Sequence, residues 1–339
     1  MIDYDYDVSG IGSALLDITY EIPDYILNDL DLKKGCMNLI DKQKSDFILN
    51  KLKKLKILKA KFSLGGSVSN TISGISYLGG KGIFFAKLGN DFYSEIYEKR
   101  TKNYGVTGIF SKHLIEKTGH CFILITSDKE RTFATHLGAS LFLNEKDLNF
   151  NLIKKSKILH IEAFLFDIPE TKNFLLKLAE FVKNSKVKIS LDLSDANLIK
   201  RNLNIIKNFV KDYVDIVFAN ENEAFAFTQH SDSEEALIEI SKITKIAIVK
   251  KGDAGSIIKS NDTNYIIKIP AYKINIVNTN GAGDNYAAGF LYGLTNNFSL
   301  EKSGHFASFI ASLVVGNESA RLEEKNIEKI NKFYFCKIL

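Results

Sequence analysis

Cysteine, arginine and long apolar runs are all scarce in this 339-residue chain. The three cysteines, Cys36, Cys121 and Cys336, are odd in number and far apart. No CxxC pair or Cys/His cluster accompanies them, which excludes a zinc site and a disulfide framework and makes reduced thiols the expectation. Apolar residues make up 45% of the chain, yet no apolar run is long enough to span a bilayer. The acidic start Met1-Ile2-Asp3-Tyr4-Asp5 lacks the basic and apolar stretches of a secretory signal, so a cytoplasmic protein with no membrane partner is expected. Arginine occurs at Arg100, Arg131, Arg201 and Arg321, so most of the positive charge behind the +5 balance is lysine. The densest basic run, Lys51 to Lys61, does not interleave aromatics with arginines. It reads as a solvated helix face, and no nucleic-acid partner is expected.

The length allows one large α/β domain or two smaller ones. Val8 to Ile11 reads as a buried strand, and Asp17 to Asp41 as short alternating pieces broken by Pro23 and Gly35. Lys42 to Leu58 has the pattern of an amphipathic helix, as do Ser67 to Leu78 and Phe92 to Asn103; Ile83 to Leu88 is a short strand. Cys121 to Thr126 and Arg131 to Leu137 form a hairpin about Ser127-Asp128-Lys129-Glu130. After Phe150 the chain alternates regularly. Strands at 158–161, 187–193, 216–219 and 246–249 are separated by amphipathic helices, which predicts a parallel sheet covered on both faces. A hairpin (256–258 with 265–269), a further strand (274–277) and helices 284–294 and 300–315 close the pattern. With no repeat or low-complexity linker, one domain over 1–339 is expected, with a flap made of about 17–41 and 107–137.

Ligands of open α/β sheets bind at the C-terminal ends of the strands. Two segments there carry chemistry. Asn278-Thr279-Asn280-Gly281-Ala282-Gly283-Asp284 follows a strand and opens a helix. Its glycines allow a tight turn, and the amides of Ala282, Gly283 and Asp284 make an anion site at the helix N-terminus. A carboxylate repels a merely bound phosphate, but it makes sense as a base that takes the proton of an incoming hydroxyl. The alternative is a carboxylate that complements the helix dipole. The second segment is Gly65-Gly66-Ser67-Val68-Ser69-Asn70, where Asn70 can donate to and accept from hydroxyls.

Together these segments resemble the two signature motifs of the ribokinase-like (PfkB) family of sugar and nucleoside kinases. Gly12-Ser13-Ala14-Leu15-Leu16-Asp17, Cys121 to Ser140 and Phe218-Ala219-Asn220-Glu221-Asn222-Glu223 are similar to its adenosine-kinase-like branch. The resemblance spans nearly the whole chain. It implies a three-layer α/β sandwich with a central, mostly parallel sheet and a small β lid. It implies an ATP- and Mg²⁺-dependent kinase acting on a sugar or nucleoside. By the same resemblance Asp284 is the catalytic base, Gly281, Ala282 and Gly283 form the anion hole, and Arg131 meets the phosphate charge. Asp17, Gly65, Gly66 and Asn70 hold the acceptor. Asn220 and Glu223 match an N-x-x-E motif at Mg²⁺, most simply through waters. Gly252, Gly255 and His305 line the nucleotide side. Family members usually carry Asp at the position of Asn278, where it helps hold a monovalent cation, so potassium activation is left open.

Rival readings fail on spacing or stay open. In Gly10-Ile11-Gly12 the third glycine of a dinucleotide fingerprint falls at Leu15, and Gly80-Lys81 lacks the glycine and Ser/Thr of a P-loop. A non-catalytic binding protein of the same fold, a fructokinase and a 2-keto-3-deoxygluconate kinase remain alternatives. Phe133, Phe164 and Phe166 are either core residues or platforms for a base. The protein is expected to be a monomer or a homodimer.

Overall fold

The computed structural model of the protein describes residues 4–57 and 59–337, without the side chains of Pro169 and 335–337. The acidic start at Met1–Asp3, the expected helix end at Leu58 and the thiol of Cys336 lie outside that description. Among the described residues the strands run β1 (Tyr6–Ile11), β2 (Leu15–Glu21), β3 (Met37–Leu39), β4 (Lys61–Gly65), β5 (Gly82–Gly89), β6 (Thr107–His113), β7 (His120–Ile125), β8 (Arg131–His136), β9 (Ser156–Glu162), β10 (Lys188–Asp192), β11 (Ile216–Asn220), β12 (Ile246–Lys250), β13 (Ser256–Ser260) and β14 (Ile267–Ile269).

The large sheet has the order β14-β13-β12-β11-β10-β9-β1-β5-β6. Its strands are parallel from β12 to β6, and the β13–β14 end is antiparallel. Successive side chains of a strand face opposite ways. Ile216 and Phe218 accordingly join one core cluster while Val217 and Ala219 join the other. Helices Ser67–Tyr77 and Ala282–Thr295 cover the first face. Helices Pro169–Lys183 and Ala196–Tyr213 cover the second. This is the parallel sheet covered on both faces that the alternation predicted. β1 lies between β5 and β9, so the chain order reverses direction beside β1. Such a switch point opens a crevice at the strands' C-terminal ends.

The small sheet has the order β3-β8-β7-β2-β4. Its inner face carries Leu16, Ile18, Phe122, Leu124 and Ala134, all buried in the same core cluster as β1 and β5. The pairs Asp17↔Cys121, Ile123↔Phe133 and Ile125↔Arg131 put those six residues on the opposite face.

Two expectations are corrected. The flap expected at 107–137 loses its first part, because β6 returns parallel to β5 after the helix Phe92–Asn103 and belongs to the large sheet. That is the ordinary crossover of a parallel pair. The small sheet instead gains β4, which pairs with β2. The strand expected at 274–277 does not form either. Ile276 and Val277 are exposed, and the N–H groups of Val277 and Asn278 both donate to the Val315 carbonyl at a helix end. Alternating apolar residues do not make a strand where no neighbouring strand pairs with them. Among the described residues no helix is long and apolar enough to cross a membrane.

Candidate active site

Helices Ser67–Tyr77 and Ala282–Thr295 lie side by side. A Cβ on Gly74 would sit 2.7 Å from the Ala288 Cβ, so the glycine permits this contact. The N-termini of the two helices therefore meet. Asp284 stands in the first turn of the second helix. Its Oδ1 accepts from Ser67 Oγ at 2.7 Å and its Oδ2 from Asn70 Nδ2 at 2.8 Å. Burial raises its pKa, against the pull of those two hydrogen bonds. Thr71 Oγ1 donates to the Asp284 carbonyl at 3.1 Å and locks the helices together.

Gly281 has φ 75°, and a Cβ there would lie 2.3 Å from the Ala320 carbonyl oxygen. A side chain is thus excluded by both backbone and space. Of the expected anion-hole amides, that of Ala282 is drawn into a turn with the Thr279 carbonyl at 3.3 Å. Among the described residues the N–H groups of Gly283 and Asp284 have no partner, as at a helix start, before the first helical bond from Asn285 to Gly281.

Asp17 lies beside Gly65, whose hypothetical Cβ would fall 2.5 Å from Asp17 Oδ1. Gly66 has φ 94°, which turns β4 into the Ser67 helix. Asp17 and Arg131 line a cleft of about 940 Å³, together with Ile123, Ile125, Asn278 and Ala320. Burial pushes the Asp17 pKa up to about 7, and the charge of Arg321 partly opposes it. A raised carboxyl pKa has a stability consequence. Between the ordinary pKa, near 3.9, and about 7 the unfolded chain releases a proton that the folded protein keeps. Ligand-free stability therefore falls as pH rises through that window. Asp17→Asn is expected to melt a few degrees above the wild type at pH 8 and together with it at pH 4. A variant that melts lower at pH 8 would contradict this.

Asn220 and Glu223 cap the helix Glu221–Thr228 reciprocally. Asn220 Oδ1 accepts from Glu223 N at 2.9 Å, and Glu223 Oε2 accepts from Asn220 N at 2.7 Å. Glu223 is nevertheless buried, which raises its pKa to about 7 with help from the Asp192 charge. A hollow of about 600 Å³ opens beside these two residues. Gly252 (φ 58°) and Gly255 (φ 88°) form the tight turn after β12. His305 is half-buried on the helix Leu300–Val315, next to Gly304, which packs on Ile258 and Ile269. The Asn278 carboxamide donates to the Glu318 carbonyl at 3.0 Å and accepts from Asn280 N at 3.0 Å. The amide thus ties the two loops directly.

Of the three phenylalanines, Phe133 faces the cleft side of the small sheet. Phe166 is core against Phe209, and Phe164 packs on the same cluster, both in a short turn after β9.

Sequence reasoning missed five residues. Ser67 is the Asp284 partner described above. Glu162, at the end of β9, accepts from Ser13 N at 2.8 Å and Val68 N at 3.2 Å, and so joins the ends of β1 and β9 to the Ser67 helix. Arg321 is 2% exposed and donates to Leu64 O, Ser69 Oγ and Ser73 Oγ. Asp192 and Lys250, at the ends of β10 and β12, form a buried pair 2.9 Å apart. All but Ser67 and Arg321 are charged residues closing a buried strand, a pattern visible in the sequence. Arg321 carries no such signal.

Residues 36–326 match the pfkB family carbohydrate kinase. The chain is 28% identical over 324 residues to the adenosine kinase of Saccharomyces cerevisiae, covering 90% of this chain and 93% of that one. It is 28% identical over 287 residues to the 5-dehydro-2-deoxygluconokinase of Geobacillus thermodenitrificans, covering 80% and 83%. The crystal structure of adenosine kinase from Sinorhizobium meliloti superposes with a TM-score of 0.85 at 30% identity, over 96% of this chain and 99% of that one.

Proposed function

The chain belongs to the pfkB family of carbohydrate kinases and is a sugar or nucleoside kinase, and we propose that its acceptor is a nucleoside, phosphorylated by ATP with Asp284 as base. The observation that carries this reading is the convergence of Asp284, Asn70 and the Gly281–Gly283 turn where two helix N-termini meet. Asn70 is the most telling of them. Its Nδ2 holds Asp284, while its buried Oδ1 has no partner among the described residues. A buried acceptor without a donor is costly, and a substrate hydroxyl supplies one.

The transfer runs as follows. The acceptor hydroxyl gives its proton to the Asp284 carboxylate. Its oxygen bonds to the γ-phosphorus as the bond from that phosphorus to the β,γ-bridging oxygen breaks. The electron pair leaves with ADP. The N–H groups of Gly283 and Asp284 and the Arg131 guanidinium stabilise charge on the moving group. Asp17 accepts from neighbouring ribose hydroxyls.

Mg²⁺, when it accompanies ATP, neutralises phosphate charge. Among the described residues no group of three His, Cys, Asp or Glu forms an inner-sphere cage. The oxygen donors of Asn220 and Glu223 suit an ion held mainly by phosphates and waters, and these two residues would hold the waters.

A nucleoside is favoured over a keto-sugar acid because the cleft places apolar walls, Ile123 and Ile125, beside Asp17, with Phe133 on the same sheet face. The 5-dehydro-2-deoxygluconokinase relative supplies the second reading. Initial rates with ATP on adenosine, inosine, ribose, fructose and 5-dehydro-2-deoxygluconate decide between them. Adenosine is expected to give the highest kcat/KM. A keto-sugar acid preferred by about tenfold or more, roughly 1.4 kcal/mol of transition-state binding, would reject the nucleoside reading.

A further inference from the structure

We propose that Lys250 is a phosphate-binding residue of this kinase, its ammonium held by Asp192 against Gly283 so that it receives the γ-phosphoryl oxygens of ATP. The proposal rests on the kinase reading above and adds a residue to its machinery.

Lys250 ends β12, at the C-terminal edge of the large sheet. Its Nζ lies 2.9 Å from Asp192 Oδ2, and the two side chains are only 15% and 7% exposed. A Cβ on Gly283 would sit 3.1 Å from that Nζ, so the last glycine of the turn leaves the space that the ammonium approaches. The ammonium thus stands next to the N–H groups assigned to the transferring phosphoryl group.

Hydrogen-bond accounting points the same way. Among the described residues Asp192 is the hydrogen-bond partner of Lys250, through one carboxylate oxygen. The other Asp192 oxygen accepts from Ser194 N at 2.9 Å. An ammonium has further N–H donors to place, and a mostly buried one cannot give them all to water. Lys87 is a useful contrast. Its side chain is 10% exposed, and both Asp147 oxygens grip it at 2.8 Å. Lys250 is held loosely enough to serve a second anion.

The surrounding charge supports the role. Burial works against the Lys250 charge, but Asp192 and Glu223 outweigh it, with Asp284 adding to them, and the lysine stays protonated. Its ammonium offsets the Asp192, Glu223 and Asp284 charges that an incoming polyanion would otherwise meet. Lys250 makes and breaks no covalent bond. It is shared between Asp192 and the phosphoryl oxygens while the group moves.

The test compares wild type, Lys250→Met and the double variant Lys250→Met/Asp192→Asn. Removing the lysine alone leaves Asp192 buried and unpaired, so the double variant separates lost charge from lost fold. Calorimetric titration with ATP and with ADP is read beside turnover. Both variants are expected to lose roughly 100- to 1,000-fold in kcat. ATP affinity should fall by about tenfold or more, with ADP affinity changed by less than about threefold, because the lost contact is to the γ-phosphoryl group. A double variant with kcat within about threefold of wild type, or equal losses for ATP and ADP, would overturn the proposal. A wild-type protein that consumes no ATP with any acceptor would instead reject the nucleoside-kinase reading itself.

Discussion

Asp284→Asn is expected to lower kcat by roughly 100- to 10,000-fold, the usual scale for removing a positioned base, while nucleotide affinity survives. The local geometry makes this a clean substitution. Asp284 receives hydrogen bonds from Ser67 Oγ and Asn70 Nδ2. The new carboxamide oxygen can keep the bond from Asn70, and its NH₂ can donate to the Ser67 hydroxyl, which accepts as readily as it donates. The turn, the helix and the packing stay in place, and only proton-accepting power is lost. Because burial raises the Asp284 pKa in the ligand-free protein, the acid limb of the wild-type kcat/KM profile should lie above the ordinary carboxylate range. As pH falls through that raised value the base becomes protonated and the rate declines. Steady-state kinetics and an ATP titration on the variant check both parts. Turnover near the wild-type rate would reject Asp284 as the base.

Arg321→Met should be the most damaging change outside the Gly281-to-Asp284 turn. The guanidinium is buried and serves Leu64 O, Ser69 Oγ and Ser73 Oγ, with its plane near the Tyr104 ring at 5.2 Å. Tyr97 completes the network by bonding both Ser69 Oγ and Gly65 O. Truncation removes a donor from all three, of which Ser69 Oγ keeps Tyr97; at about 1–3 kcal/mol for each of the other two, a loss of about 2 kcal/mol or more is expected. Arg321 also opposes the burial that raises the Asp17 pKa, and the strand it grips carries Gly65. The KM for the acceptor should therefore rise by about tenfold or more, while the KM for ATP changes little. Arg321→Lys should rescue only part of this, since a compact ammonium lacks the planar fork that spreads the guanidinium's donors over three separated partners. Urea unfolding and two-substrate kinetics measure both effects. A variant with unchanged midpoint and unchanged acceptor KM would refute the assignment.

Most of the large sheet was legible because its strands are apolar runs between amphipathic helices. The helices at Phe92–Asn103 and Leu300–Val315 have the bounds that periodicity gives. The segments that misled were those whose partner the sequence does not name. β6 looked like flap and joined the large sheet, while 274–277 looked like a strand and found no neighbour. Strand pairing is a long-range choice, and local pattern only permits it. The site was legible in the same uneven way. Asp284, Asn70 and the glycines announced themselves by turn chemistry and spacing. Glu162, Asp192 and Lys250 each stood at a strand end, yet a lone charge there has no stated partner until the sheet order is known.

The amino-acid sequence alone determined the layered α/β plan and marked out Asp284 with its glycine turn and the Gly65-to-Asn70 segment, because each is written in residues close together in the chain. Tertiary structure alone decided that these segments face one another, that Arg321 reaches back to the strand before Ser67, and that Lys250 lies against Gly283. The reason is distance along the chain: contacts between residues tens to hundreds of positions apart follow from strand order and helix packing, which no local window contains.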